Sequence, residues 1–334
     1  MWPAYRPASG PTAVRAAISR PAEEFEGELS DAALSAMESE YRPIVIRGLA
    51  LEWPAVRAAR LSDAALADYL KRFDSGKTTE VLVGPPEIAG RFFYDDGLTG
   101  CNFQKRRGAL SALIDRILAT RNDPHPDAIY AGAAAAADHL PGWNTQNALP
   151  FDLPTAVARL WIGNATHVSS HFDEASNIAV VVAGRRRFTL FPPDQFENLY
   201  VGPLHLTIAG PPVSMVDIDA PDLGRYPRFA EAARHGLIAD LAPGDAIYIP
   251  PIWWHNVKAQ SAFNVMANFW WEAPDATSPL DALMRSITAI RDLPKPLRDA
   301  WRRWFERYVF DDDAAERVAH LPEHVRSLPR SGGS

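Results

Sequence analysis

Two imidazoles and one carboxylate stand where they could hold a metal. His171 and Asp173 are two residues apart, and His255 follows on a much later segment. Residues i and i+2 of a β-strand project from one face, so one strand can offer both His171 and Asp173 to a single ion. The third ligand must then come from a distant strand that returns beside the first. Two histidines and a carboxylate on one face of an octahedron are the ligand set of non-haem Fe(II) oxygenases, which leave the opposite face open. A bare His-x-Asp is common by chance, so its surroundings decide. His167 lies four residues before His171 and would share its face on a regular strand, which keeps a rival ligand set open.

The elements around these residues must bring separate strands together. Short β-rich runs occur at Arg159–Ile162, Asn177–Val182, Arg187–Phe191, Val213–Ile218, Ala246–Ile249 and Asn264–Trp271. Turn-forming residues part them at Ala183-Gly184, Phe191-Pro-Pro-Asp194, Gly210-Pro-Pro212 and Ala242-Pro-Gly-Asp245. Many short strands with Pro/Gly turns indicate a sandwich or barrel. Upstream, Pro43–Gly48 reads as a buried strand, and Ser62–Phe73 as a helix capped by Ser62. Leu110–Leu118 repeats that helical spacing. Ala133–Ala137 reads as an inert loop or helical turn. Residues 1–24 and the Ser331–Ser334 tail read as loosely ordered.

After Pro279 the spacing is helical again. Leu280, Leu283, Met284, Ile287 and Ile290 form one stripe, and Leu297, Trp301, Trp304, Phe305 and Tyr308 a second. Tryptophan and tyrosine concentrate at the centres of interfaces. The pair either packs on the β core or forms a homodimer interface through residues 280–310. The expected organisation is an N-terminal α/β region over 1–127, a β core over 128–275 and a helical segment over 276–334.

Of 334 residues 47% are hydrophobic and 22% charged, the balance of a globular chain. The formal charge of −7 argues against a nucleic-acid partner. Cys101 is the single cysteine, which excludes an intramolecular disulfide and a cysteine-based metal cluster. The N-terminus lacks a basic-then-apolar leader, and no apolar run approaches the ~20 residues that span a bilayer. The expectation is a cytoplasmic protein without a membrane partner.

Larger blocks surround the triad: His171–Asn177, Gly184–Glu197, Pro243–Pro250, Trp253-Trp-His255 and Asn268-Phe-Trp270, with Pro43–Leu49 and Trp53-Pro54 upstream. With these blocks the sequence resembles the JmjC/cupin-like Fe(II)- and 2-oxoglutarate-dependent oxygenases, above all their factor-inhibiting-HIF asparaginyl hydroxylase branch. The resemblance implies a mainly β fold with flanking helices: a double-stranded β-helix, or jelly roll, with helical N-terminal additions and a C-terminal helical pair. It implies Fe(II) on His171, Asp173 and His255, 2-oxoglutarate as cosubstrate, and O₂. Succinate and CO₂ would leave, and a C–H bond would gain a hydroxyl.

A distal carboxylate inside a barrel needs a cation and donors. Arg186 follows the Ala183-Gly184 turn and offers a bidentate fork where that branch carries a lysine. Tyr130 matches a tyrosine that donates to the same carboxylate. Val168 replaces a threonine donor. Asn177 and Asn268 match asparagines near the metal-bound end, and Trp270 would wall the site. The branch's arginine–glutamine pair for the substrate amide is replaced by Pro212 and Val213, and a further glutamine by Gly132. Loss of those partners removes amide selectivity. The expected substrate is a protein or peptide side chain. A small molecule, an RNA, or a non-catalytic cupin-like binding role are the alternatives.

Overall fold

The computed structural model describes residues 18–208, 210–272, 277–313, 318–322 and 325. The chain divides into two compact units, residues 1–271 and 272–334. In chain order the first unit runs β1 (Arg20–Pro21), β2 (Glu23–Glu24), α1 (Asp31–Glu40), β3 (Ile44–Ile46), α2 (Pro54–Leu61), α3 (Asp63–Lys71) and β4 (Thr78–Gly84). It continues with β5 (Arg91–Phe92), β6 (Gln104–Ala109), α4 (Leu110–Ala119), β7 (Ala128–Ala135), α5 (Ala136–His139), α6 (Trp143–Gln146), β8 (Val157–Gly163), β9 (His167–His171) and β10 (Ser176–Ala183). It closes with β11 (Arg186–Phe191), α7 (Phe229–His235), β12 (Leu237–Leu241), β13 (Ala246–Ile249), β14 (Trp254–Ala259) and β15 (Asn264–Trp271).

The strands form two mixed sheets. One has the order β1-β12-β11-β14-β9-β5, the other β2-β3-β13-β10-β15-β8-β7-β4-β6. Their facing sides share an interior of Ala179, Val181, Phe188, Leu190, Ile247, Ile249 and Met266. The outer side of the larger sheet carries Ile178, Val180, Leu160 and Ile162, packed with helix residues Leu66, Leu70, Leu113 and Ile117. β10 is apolar on both faces because both are covered. Each such valine or isoleucine contributes about 1.5–3 kcal/mol by burial. β8 divides its residues instead. Ala158, Leu160 and Ile162 face the helices, which turns Arg159 and Trp161 toward the interior. The result is the mainly β jelly roll with flanking helices.

Local signals explain most boundaries. Ser62 caps α3 by accepting from the amide of Ala65 at 3.0 Å. Gly184 turns β10 into β11 with a positive φ of 76°, and a Cβ there would lie 2.2 Å from Asn264 Oδ1. Three expectations need correction. Residues 20–24 are not loose: β1 pairs in parallel with β12, and β2 with β3. The alanine run is not a loop, although its second half is the helical turn that is the other expectation. Its first part ends β7 and its second forms α5, with Ala133 at φ 54° in a bulge. Val213–Ile218 forms no strand, only a bridge between Ser214 and Val201, and at its end Asp217 Oδ1 takes the amide of Asp219 and turns the chain. Residues 1–17 and the Ser331–Ser334 tail lie outside the described residues.

In the second unit α8 (Pro279–Ile290) is capped by Ser278, and α9 (Lys295–Phe305) runs on into a π-helical turn, Glu306–Phe310. Trp304 stacks on Tyr308 with ring centroids 5.3 Å apart. Among the described residues no helix is long and apolar enough to cross a membrane.

Candidate metal centre and active site

His171 ends β9, and Asp173 stands two residues on, where its carbonyl accepts the amide of Ile252 at 2.7 Å. That bond ties the strand end to the turn before β14. His255 pairs directly with His171 across the two strands. Alternation sets the directions: Phe172 and Trp254 pack edge to face at 5.1 Å in a separate cluster, so His171, Asp173 and His255 point the other way. The turn is held from outside. Tyr41 donates its hydroxyl to the carbonyl of Pro251 at 2.9 Å, and the Trp253 indole donates to the carbonyl of Tyr41 at 2.9 Å.

The ligand atoms of His171, Asp173 and His255 lie within 4.8 Å of one another and could hold a metal ion. Each imidazole is fixed through Nδ1. His171 Nδ1 bonds the carbonyl of Ser169 at 2.9 Å, and His255 Nδ1 that of Trp253 at 3.0 Å. A carbonyl can only accept, so Nδ1 carries a proton and Nε2 is the ring atom turned to a ligand. His255 Nε2 sits 3.6 Å from Asp173 Oδ2. The two rings are 4.3 Å apart. Burial, and then the neighbouring His171, push His255 down to about 4 against the pull of Asp173. It is neutral at pH 7, the form a metal binds. Asn177 donates to Asp173 Oδ2 at 3.3 Å, and Asn268 donates to Asn177 Oδ1 at 2.9 Å. The two asparagines thus form a relay that orients the carboxylate.

His167 is not part of this centre. β9 holds one more residue than β14 between the pairs His171–His255 and Val168–Val257. This bulge breaks the regular alternation. Val168 faces the interior, and His167 turns to Asn256 at 2.9 Å and Asp219 at 3.8 Å.

A cavity of about 660 Å³ opens on the triad. Tyr130, Asn177, Asn268 and Trp270 line it. Tyr130 is stacked between Phe92 at 5.9 Å and Trp161 at 5.7 Å. Burial pushes its hydroxyl up to about 12 despite the nearby Arg186 charge, so it stays a donor. Arg186 is 1% exposed. It does not itself form the cavity wall; it reaches the site beside Tyr130, with Nη2 3.5 Å from the carbonyl of Trp161. Its Nε has no partner, and burial lowers its pKa. A buried guanidinium with an idle donor next to a tyrosine hydroxyl fits an anionic ligand group.

The cupin-like domain model matches residues 30–277. The chain belongs to the cupin-like family. Among curated relatives, tRNA wybutosine-synthesizing protein 5 of Danio rerio is 33% identical over 151 residues, 40% of this chain and 43% of the relative. HSPB1-associated protein 1 of Bos taurus is 36% identical over 167 residues, 48% of this chain and 33% of the relative. Lysine-specific demethylase JMJ31 of Arabidopsis thaliana is 32% identical over 167 residues, 49% of this chain and 27% of the relative. This cupin-like chain therefore spans less than half the length of these relatives.

The far side of the cavity departs from the asparaginyl hydroxylase pattern. Val213 lines it, while Pro212 is buried off its wall. Gly132 lines it too, and a Cβ there would meet the Trp161 ring at 3.0 Å. Trp161 fills the space a glutamine would need. The sequence reading missed Arg159 and Trp161, both lining residues. The signal was present: in Ala158-Arg-Leu-Trp-Ile162 the apolar alternates mark one face and leave arginine and tryptophan on the other.

Proposed function

We propose that this cupin-like protein is an Fe(II)- and 2-oxoglutarate-dependent oxygenase that hydroxylates a C–H bond of a protein or peptide side chain. The observation that carries this reading is the convergence of two Nε2 atoms and one carboxylate on a cavity that also presents Tyr130 beside the buried Arg186. Two histidines with one carboxylate suit Fe(II) and leave positions for other ligands. When bound, the metal and cosubstrate supply O₂ activation, with 2-oxoglutarate lost as succinate and CO₂.

The chain's own residues do the rest. His171, Asp173 and His255 hold the metal, each already oriented by a neighbour. Tyr130 donates to the distal carboxylate of the cosubstrate, and Arg186 supplies the balancing charge. Asn177 and Asn268 keep the Asp173 oxygen in place. Phe188, Val168 and Met266 exclude water from the cavity interior.

Relatives' names divide between tRNA and protein. The net charge of −7 favours a peptide over a polyanion. Asparagine amide selectivity of the hydroxylase type finds no support, since Pro212, Val213 and Gly132 offer no side-chain hydrogen bond. The test is anaerobic titration of the Fe(II)-loaded protein with 2-oxoglutarate, followed by oxygen and assay of succinate. A visible charge-transfer band and succinate formation are expected. Absence of both binding and turnover would sink the reading.

A further inference from the structure

The cavity mouth holds a second group of idle donors, apart from those assigned to metal and cosubstrate. Arg159 on β8 lies opposite Asn268 of β15, and Trp270 is the next residue of β15 on that side. Arg159, Trp161 and Trp270 all line the cavity. Arg159 Nε, Trp161 Nε1 and Trp270 Nε1 are buried and have no hydrogen-bond partner. The bulge in β7 brings the carbonyl of Ala133 to Arg159 Nη1 at 3.3 Å. Among the described residues this is the guanidinium's one hydrogen bond, and it makes no ion pair. The two carboxylates on the cavity wall are engaged elsewhere: Glu80 pairs with Lys105 at 3.3 Å, and Asp173 belongs to the triad. Buried donors without acceptors are rare in folded proteins and mark places where a ligand supplies the acceptor.

We infer that Arg159, flanked by the indole N–H groups of Trp161 and Trp270, binds a carboxylate of the substrate, so that the peptide enters through an aspartate or glutamate side chain. This rests on the oxygenase reading for its context. A planar carboxylate matches the guanidinium fork. The slot is narrow and aromatic: Trp161 meets Trp270 edge to face at 5.8 Å and stacks on Tyr130. The group sits beside Gly132, which brings no side chain of its own to the slot, and a Cβ there would meet the Trp161 ring at 3.0 Å. A polynucleotide fits less well. The exposed run Lys105–Arg107 is already engaged by Glu80, Gln104 and Thr78, and the net charge is −7.

The test uses full-length protein loaded with Mn(II) and N-oxalylglycine, an isostere of 2-oxoglutarate that does not decarboxylate. Fluorescein-labelled hexapeptide pools with a central Asp or Glu are compared by anisotropy with pools carrying Asn or Gln, and with oligouridylate. The acidic pools are expected to bind about tenfold more tightly than the amide pools. Arg159→Met should abolish that preference, and Arg159→Lys should retain part of it, while N-oxalylglycine still saturates both variants. An equal affinity for acid and amide pools overturns the inference. So does an acid preference that survives in Arg159→Met, or Arg159-dependent binding of oligouridylate alone. Failure of the unmodified protein to take up N-oxalylglycine strikes the oxygenase reading instead. In that case the acid-to-amide ratio, with and without Arg159, still decides the role of Arg159.

Discussion

The metal corner draws on β9, β10, β14 and β15 and the cavity mouth on β8 and β15, and the two are held in different ways. At the corner, the metal-facing side chains are already tied, His171 to the carbonyl of Ser169, His255 to that of Trp253, Asp173 to Asn177, and Asn177 to Asn268, whose Oδ1 alone keeps no partner. At the mouth, Arg159, Trp161 and Trp270 keep buried donors without partners. A group that must present one lone pair to an ion gains from being fixed beforehand. A group that must take up part of a substrate has to leave donors open until that substrate arrives.

The largest expected effect comes from breaking the tied region. His255→Ala removes a ligand, and loss of an orienting partner alone typically costs ten- to a hundredfold in metal affinity. The variant should bind Fe(II) at least about a hundredfold more weakly in equilibrium competition with a chelator. An unchanged metal affinity would show that the three residues are not the ligand set. Arg186→Met should leave metal affinity intact and weaken N-oxalylglycine by about a hundredfold, the ~3 kcal/mol typical of removing one partner of a buried charge pair. Calorimetry on the Mn(II) protein separates the two quantities. A variant that lost both together would mean that Arg186 supports the fold rather than the cosubstrate.

The corner was legible in the sequence and the mouth was not, for physical reasons. His171 follows from strand period, Asp173 keeps that spacing although β9 ends at His171, and the direction of Arg186 follows from alternation within Arg185-Arg186-Arg187. Two bulges defeat the same rule elsewhere. One in β9 turns His167 out of the interior although it lies four residues from His171. The other, in β7, places Gly132 and Ala133 on the cavity wall, at the start of a run whose alanines read as a loop or helical turn. A bulge depends on the partner strand's register, which a single segment does not reveal. Arg159 is different: the alternation in Ala158-Arg-Leu-Trp-Ile162 already sets it opposite the apolar face, although a lone charge in an apolar run also reads as part of a core strand. Tyr41, which clamps the turn before His255, lies more than two hundred residues away in sequence, and no local pattern announces it.

A smaller effect probes the mouth. Gly132→Gln restores the amide side chain of the asparaginyl branch, but its Cβ would press on Trp161 at 3.0 Å. Overpacking of this kind costs about 1–3 kcal/mol. Thermal melting should show that loss with metal affinity unchanged. A variant as stable as the parent would mean that Trp161 moves freely, and that the slot is not shaped by it.

The smallest effect tests whether the β9 bulge truly separates His167 from the site. Burial lowers the pKa of His167, opposed by Asp219, Asn256 and Asp217 and reinforced by Arg91. Folded His167 therefore resists protonation, while the unfolded chain takes up that proton near pH 6.5. As pH falls below that value the unfolded state binds more protons, so stability is lost until the folded imidazole also titrates, with a slope of at most ~1.4 kcal/mol per pH unit. His167→Gln has no proton to gain. Its melting temperature should fall less than the parent's between about pH 7 and pH 5, by roughly 2 °C. Fe(II) affinity at pH 7 should not change, because the ring faces Asn256 and Asp219 rather than the triad. Loss of metal with this substitution would place His167 back among the ligands and remove the boundary between the two regions.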